Sequence, residues 1–235
     1  TAMRGVYIVM EYVEGATLSD WIDAASPTLA ERLEAFLQAG RGLEAAHAAG
    51  LVHRDFKPLN TIRGDDGRVR VLDFGIARWL EDADLPALEG FGGSTGESSG
   101  GSIVTDTISG TPRYMSPEQH TGGRIDARSD QFSFAVALYE GVFGKTPYEA
   151  DNLGGLRDAK KGGEFDRGVE AVGLSPRLEQ AIFRALAPDP DHRFATLTPL
   201  LEELERELDR PRRRRMWGGA LGLTLIVGAV GLFSG

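Results

Sequence analysis

Two polar stretches bracket a short apolar hairpin, and that arrangement restricts the fold of this chain more than any other feature. The first is His53-Arg54-Asp55-Phe56-Lys57-Pro58-Leu59-Asn60, and the second, Asp73-Phe74-Gly75, begins thirteen residues after Asn60. Between them Thr61-Ile62-Arg63 and Val69-Arg70-Val71-Leu72 read as strands around Gly64-Asp65-Asp66-Gly67, where Asp and Gly suit a tight, solvated turn. Antiparallel strands return the chain to its origin, so Asn60 and Asp73 are expected to approach one point. Phosphoryl transfer needs a carboxylate to orient a hydroxyl, a cation near the moving group and oxygen ligands for Mg²⁺. The two stretches offer one of each.

The ordered spacing H-R-D-x-x-x-x-N followed by D-F-G resembles the catalytic and metal-binding loops of eukaryotic-type (bacterial) Ser/Thr protein kinases. That resemblance implies that Asp55 is the catalytic base, that Lys57 contacts the transferred phosphate, and that Asn60 and Asp73 hold Mg²⁺. A lysine two residues after the aspartate resembles the Ser/Thr branch. Glu11-Tyr12-Val13-Glu14-Gly15 is similar to the kinase hinge, which makes Met10 the gatekeeper. The Glu11 carbonyl and Val13 amide would then face the adenine of ATP, with Ile62 as the floor beneath it.

Gly110-Thr111-Pro112-Arg113-Tyr114-Met115-Ser116-Pro117-Glu118 resembles the substrate-docking segment of the same family. By that resemblance Thr111 bonds Asp55 and Lys57, Glu118 pairs with Arg193, and Asp130 holds the backbone of the catalytic loop. Residues 73–118 would be the activation segment. Its Gly- and Ser-rich stretch from Gly90 to Ser102 has too little apolar surface to order itself. Thr105 and Thr107 are the expected autophosphorylation sites, with Arg54 as the partner for the added charge, and a homodimer is the expected arrangement for that reaction.

The rest of the chain reads as helices. Thr17 begins a short one; Thr28, three residues before Glu31, has capping-box spacing and opens a long one carrying Leu33, Phe36, Leu37, Gly40 and Leu43 on one face. His47, on or near that face, is expected to pack in the core. Phe132 to Tyr139 is apolar nearly all round, the pattern of a helix inside a domain. Ser175-Pro176 and Thr198-Pro199 are expected to cap two further core-facing helices.

The Gly-rich phosphate loop, strand lysine and partner glutamate that the family places before its hinge are not in this sequence. The expectation is therefore the hinge and C-lobe of a longer kinase, without its N-lobe and inactive by itself. A catalytically silent, membrane-tethered pseudokinase or binding module is the alternative.

At the other end, Arg210-Pro211-Arg212-Arg213-Arg214-Arg215 precedes eighteen uncharged residues, 216–233. That length is near the lower limit of the ~17–25 residues that cross a bilayer as a helix. Arginines flanking a span stay on the cytoplasmic side, so the expectation is a single-pass protein of the cell (inner) membrane with its catalytic part in the cytoplasm. The net charge of −9 offers no basic footprint for nucleic acid, and the absence of cysteine excludes disulfides and thiolate metal sites.

The predicted fold is mainly α (α+β), a kinase-like helical C-lobe with small β-hairpins over residues 1–209. A basic juxtamembrane run at 210–215 and a transmembrane helix at 216–233 follow. The implied activity is transfer of the γ-phosphate of ATP, with Mg²⁺, to Ser or Thr of protein substrates.

Overall fold

The computed structural model describes residues 10–74, 111–165 and 173–210. The residues before Met10, the activation-loop threonines Thr105 and Thr107, the arginines after Arg210 and the apolar stretch 216–233 lie outside the described residues. Among the described residues, no helix is long and apolar enough to cross a membrane.

Three short strands, β1 Gly15–Thr17, β2 Thr61–Gly64 and β3 Val69–Val71, form one antiparallel sheet in that order. Thr61 faces Val71 across the hairpin, and Thr17 faces Ile62 on the other side. The β2–β3 hairpin agrees with the sequence reading. Strand β1 does not, since those residues read as hinge and helix start. Close backbone approach explains it: a methyl carbon on Gly15 would fall 2.3 Å from the Arg63 carbonyl oxygen, so only a glycine lets the strand pair there.

Among the described residues, seven α-helices follow from local signals of differing strength. In α1, Leu18–Ala25, the Thr17 hydroxyl accepts the Asp20 amide at 3.1 Å. Helix α2, Leu29–Ala48, starts on a full capping box: Thr28 Oγ1 accepts Glu31 N at 3.3 Å while Glu31 Oε2 accepts Thr28 N at 2.8 Å. Helix α3 is Pro117–Thr121, and α4, Ala127–Phe143, is capped by Asp126 and stopped by Gly144 at φ 71°. Helix α5, Leu153–Gly162, escapes the sequence reading because its three glycines depress helix propensity. Helix α6 is Pro176–Ala185, capped by Ser175.

Helix α7 spans 198–210. Thr198 is its first residue and not its cap: the Leu197 carbonyl takes the first helical bonds, and the Thr198 hydroxyl donates to Glu44 on α2.

The core lies where α2, α6 and α7 surround α4. Phe36 and Leu43 of α2, Phe132, Phe134 and Leu138 of α4, Leu178 and Ile182 of α6, and Leu200, Leu201 and Leu204 of α7 are all fully buried. Each such side chain contributes about 1.5–3 kcal/mol relative to exposure. Helices α2 and α4 approach closely at Gly141, whose carbonyl also accepts Arg32 Nη1 at 2.7 Å.

A Gly→Ala change in a helix ordinarily stabilises by about 1 kcal/mol. At Gly141 the added methyl would lie 2.3 Å from Cε2 of Phe36, a ring held edge-on against Phe134, and overpacking of that kind costs about 1–3 kcal/mol. Gly141→Ala is therefore expected to lower the thermal unfolding midpoint, and adding Phe36→Leu to restore part of the loss; a more stable single variant would contradict this packing.

Candidate active site

The loop from His53 to Asn60 is shaped from beneath by one carboxylate. Asp130, in the first turn of α4 and 0% exposed, accepts His53 N–H at 2.7 Å with Oδ2 and Arg54 N–H at 2.7 Å with Oδ1. His47 Nε2, from the end of α2, lies 2.8 Å from the same Oδ2. Charge-assisted bonds of this kind are about twice as strong as neutral ones. They offset the strain of Arg54, a non-glycine residue held at φ 67° in the left-handed region. His47, expected simply to pack, thus joins a polar network; its place on the apolar face of α2 gave no sign of the buried acceptor opposite.

His53 then connects this loop to the next. Its Nε2 lies 2.8 Å from the Leu72 carbonyl, and Nδ1 lies 3.3 Å from the Asp55 amide. A carbonyl only accepts and an amide N–H only donates, so both bonds coexist when Nε2 carries the hydrogen and Nδ1 is bare. The ring also stands 4.8 Å from that of Phe74. Leu72 is held on its other side too, where its N–H donates to the Asn60 carbonyl at 2.8 Å. Asp73 follows directly, exposed and at φ 57°.

Asp55, Lys57 and Asn60 form one cluster. Asp55 Oδ2 receives Lys57 Nζ at 2.8 Å and Asn60 Nδ2 at 3.2 Å, and Asn60 Nδ2 also donates to the Asp55 carbonyl at 2.9 Å. Both partners of that amide nitrogen are acceptors, which fixes the amide orientation and makes Asn60 Oδ1 the acceptor end. Asp55 Oδ1 takes no donor from the described residues, and the Asp55 side chain is 38% exposed against 16% for Lys57. An amide oxygen and an open carboxylate on paired backbone are oxygen donors suited to a hard divalent cation such as Mg²⁺.

Residues 2–202 match the protein kinase domain family. The chain belongs to that family.

This kinase chain is 32% identical over 231 residues to a probable serine/threonine-protein kinase of Streptomyces coelicolor, covering 95% of the chain and 30% of that protein. It is 32% identical over 234 residues to the serine/threonine-protein kinase PknB of Mycobacterium tuberculosis, covering 97% of the chain and 35% of PknB. To PknL of M. tuberculosis it is 33% identical over 216 residues, 90% of the chain and 50% of that relative. The chain thus spans between about a third and a half of the length of these curated relatives.

At the expected hinge, Met10 is 57% exposed, Glu11 is exposed, and Val13 and Ile62 are half-buried. Asp65 N–H donates to the Glu14 carbonyl at 2.9 Å, tying the hinge to the β2–β3 turn. On the docking side, Thr111 opens a turn of 3₁₀ helix at Thr111–Arg113, and its side chain lies outside the described residues.

Gln119, which the sequence reading passed over, links this segment to the catalytic loop. Its Oε1 accepts Ser116 N–H at 2.9 Å and its Nε2 donates to the Arg54 carbonyl at 2.6 Å. The Ser116…Gln119 spacing is itself a capping-box signal.

Glu118 meets Arg193 in a two-point bridge, Oε1 to Nη1 at 2.8 Å and Oε2 to Nη2 at 2.9 Å, and Ser129 Oγ donates to Oε1 at 2.6 Å. Arg193 also donates to the carbonyls of Ala187, Arg128 and Pro188. Burial by itself would raise the Glu118 carboxyl, but the Arg193 bonds and charge, with Ser129, hold it below its ordinary value.

Removing one member of a buried pair costs about 3–5 kcal/mol because the other charge is left uncompensated. Arg193→Met is expected to destabilise by that amount in denaturant unfolding, and Arg193→Met with Glu118→Leu by clearly less. Because the folded-state value is lowered, the Glu118 contribution is complete above the unfolded value of about 4.3 and fades as pH falls through the folded one. Glu118→Gln is expected to flatten the acid side of the stability profile; an unchanged acid slope would contradict the assignment.

Proposed function

We propose that the chain is the catalytic part of a bacterial serine/threonine protein kinase that transfers the γ-phosphoryl group of ATP to Ser or Thr hydroxyls of protein substrates. The observation that carries this reading is Asp55, whose carboxylate has one oxygen engaged by Lys57 and Asn60 and the other without a donor among the described residues, beside the paired backbone that presents Asp73.

Asp55 Oδ1 orients the incoming hydroxyl and receives its proton, while Oδ2 stays fixed by its two donors. Lys57, held 2.8 Å from Oδ2, places positive charge beside the attacking oxygen, where negative charge builds on the transferring phosphoryl. Asn60 Oδ1 and the Asp73 carboxylate would hold Mg²⁺, which when bound neutralises the β- and γ-phosphate oxygens. Met10, Glu11, Val13 and Ile62 would line the adenine end, through the Glu11 carbonyl, the Val13 amide and the apolar Ile62 surface. Thr111 would approach Asp55 and Lys57 from the docking side.

Several finer assignments rest on the sequence alone. Thr105 and Thr107 would accept phosphate in a reaction between two copies of the kinase, with Arg54 pairing the new charge. The arginines from Arg210 to Arg215 and the apolar residues 216–233 support a single span in the cell (inner) membrane, with the kinase on the cytoplasmic side.

Labelling of a protein substrate with [γ-³²P]ATP by the full natural chain is the test. Asp55→Asn is expected to reduce labelling by about 10²–10⁴-fold, and Asp73→Ala to raise the Mg²⁺ concentration needed for whatever activity remains. Equal labelling by Asp55→Asn would overturn the reading.

A further inference from the structure

Lys160 is a lysine that the site described above does not use, and its surroundings are unusual. Its side chain, near the end of α5, is 0% exposed. A buried ammonium ordinarily sits against a carboxylate, since removing the charge from water is costly. Here all three donors of Nζ go to backbone carbonyls of one short stretch: Pro112 at 2.9 Å, Arg113 at 2.8 Å and Met115 at 2.7 Å. The face of the Phe132 ring, 5.8 Å away, lies below.

Three carbonyls from four consecutive residues do not converge in an extended chain, where neighbouring carbonyls point to opposite sides. They converge here because the segment coils through the 3₁₀ turn at Thr111–Arg113. The ammonium and the coil therefore require each other.

The same stretch is tied from a second helix. Arg113 Nη1 and the Tyr114 hydroxyl both donate to Glu140 of α4, at 2.7 and 2.6 Å. A few residues on, Gln119 bonds the Arg54 carbonyl, so the shape of 112–116 is passed to the residue preceding Asp55.

We propose that Lys160 is a positioning residue that holds the substrate-docking segment, residues 112–116, in the conformation that receives the protein substrate. This rests on the kinase reading above and adds a determinant of substrate binding to it. A well-packed apolar residue in place of a buried ion is often neutral or stabilising, so fold stability gives no reason for a lysine here, whereas a fixed carbonyl arrangement does. Burial lowers the Lys160 pKa to about 7, and full occupancy of the three carbonyls needs the charged form. His120, whose pKa is lowered to about 4 by its own burial and by the Lys160 and Arg157 charges, is neutral at neutral pH and adds no second positive charge beside the ammonium.

Lys160→Met keeps the length and apolar stem and removes the three donors; Lys160→Arg keeps the charge. In the full natural chain, Lys160→Met is expected to raise the KM for a peptide substrate by about tenfold or more while the KM for ATP moves less than about twofold, and Lys160→Arg to recover part of the loss. Amide hydrogen exchange, which needs no activity, is expected to quicken by about tenfold at 113–116 in Lys160→Met and to stay unchanged in the middle of α4.

Unchanged exchange at 113–116, or an equal rise in both KM values, would overturn the role of Lys160. Absence of any peptide labelling by the unaltered chain would instead remove the kinase reading and leave the exchange result to decide whether Lys160 holds the segment.

Discussion

The carboxylate of Asp130 bonded to the backbone of His53 and Arg54 is the contact on which the rest of the site depends. A loop carries unpaired amides, and one bent through a left-handed residue such as Arg54 has no regular ladder to satisfy them. By receiving two successive N–H groups at 2.7 Å, Asp130 sets the direction in which the chain leaves Arg54. The Asp55 carboxylate, its Lys57 and Asn60 partners and the His53 contact to Leu72 all inherit that direction. Because Asp130 sits on a helix buried on nearly every side, the cluster around Asp55 is anchored to the core.

The first turn of α4 does this in more than one direction. Successive helical residues point about 100° apart. Ser129 donates to Glu118, Asp130 holds the catalytic loop, and Gln131 accepts Phe194 N–H at 3.1 Å while donating to the carbonyls of Phe194 and Thr196. Three neighbouring polar residues in the first turn of α4 thus hold three separate segments together: helix α3, the loop at His53–Arg54 and residues 194–196. Lys160 follows the same logic from α5, sending its three donors to carbonyls of residues 112–115, and Arg193, in the segment after α6, adds the carbonyls of Ala187, Pro188 and Arg128 to its bridge with Glu118. Buried polarity in this protein serves irregular backbone more than it serves side-chain pairs.

What could be read from residues was what short-range chemistry decides. The Thr28–Glu31 capping box, the turn at Gly64–Gly67 and the buried character of Phe132 to Tyr139 are complete within a few residues, and each has its expected form in the structure. Strand β1 was missed because its three residues become a strand only by pairing with β2, nearly fifty positions later. Helix α5 was missed because Gly154, Gly155 and Gly162 weaken its local signal, and its stability comes from contacts such as Leu156 in the core. The polar partners His47, Gln119, Glu140 and Lys160 escaped for a related reason: each acts on a group distant in sequence.

The sequence by itself determined the chemical set, a carboxylate, a lysine and two oxygen ligands in fixed order, together with the hairpin that spaces them, because turn and strand preferences act over a few residues. Only the tertiary structure decided which Asp55 oxygen Lys57 and Asn60 engage, and which buried ions shape the loops. Those outcomes depend on acceptors and donors that meet through the packing of α2, α4 and α5, and a hydrogen bond is made or lost within an ångström that no local pattern specifies.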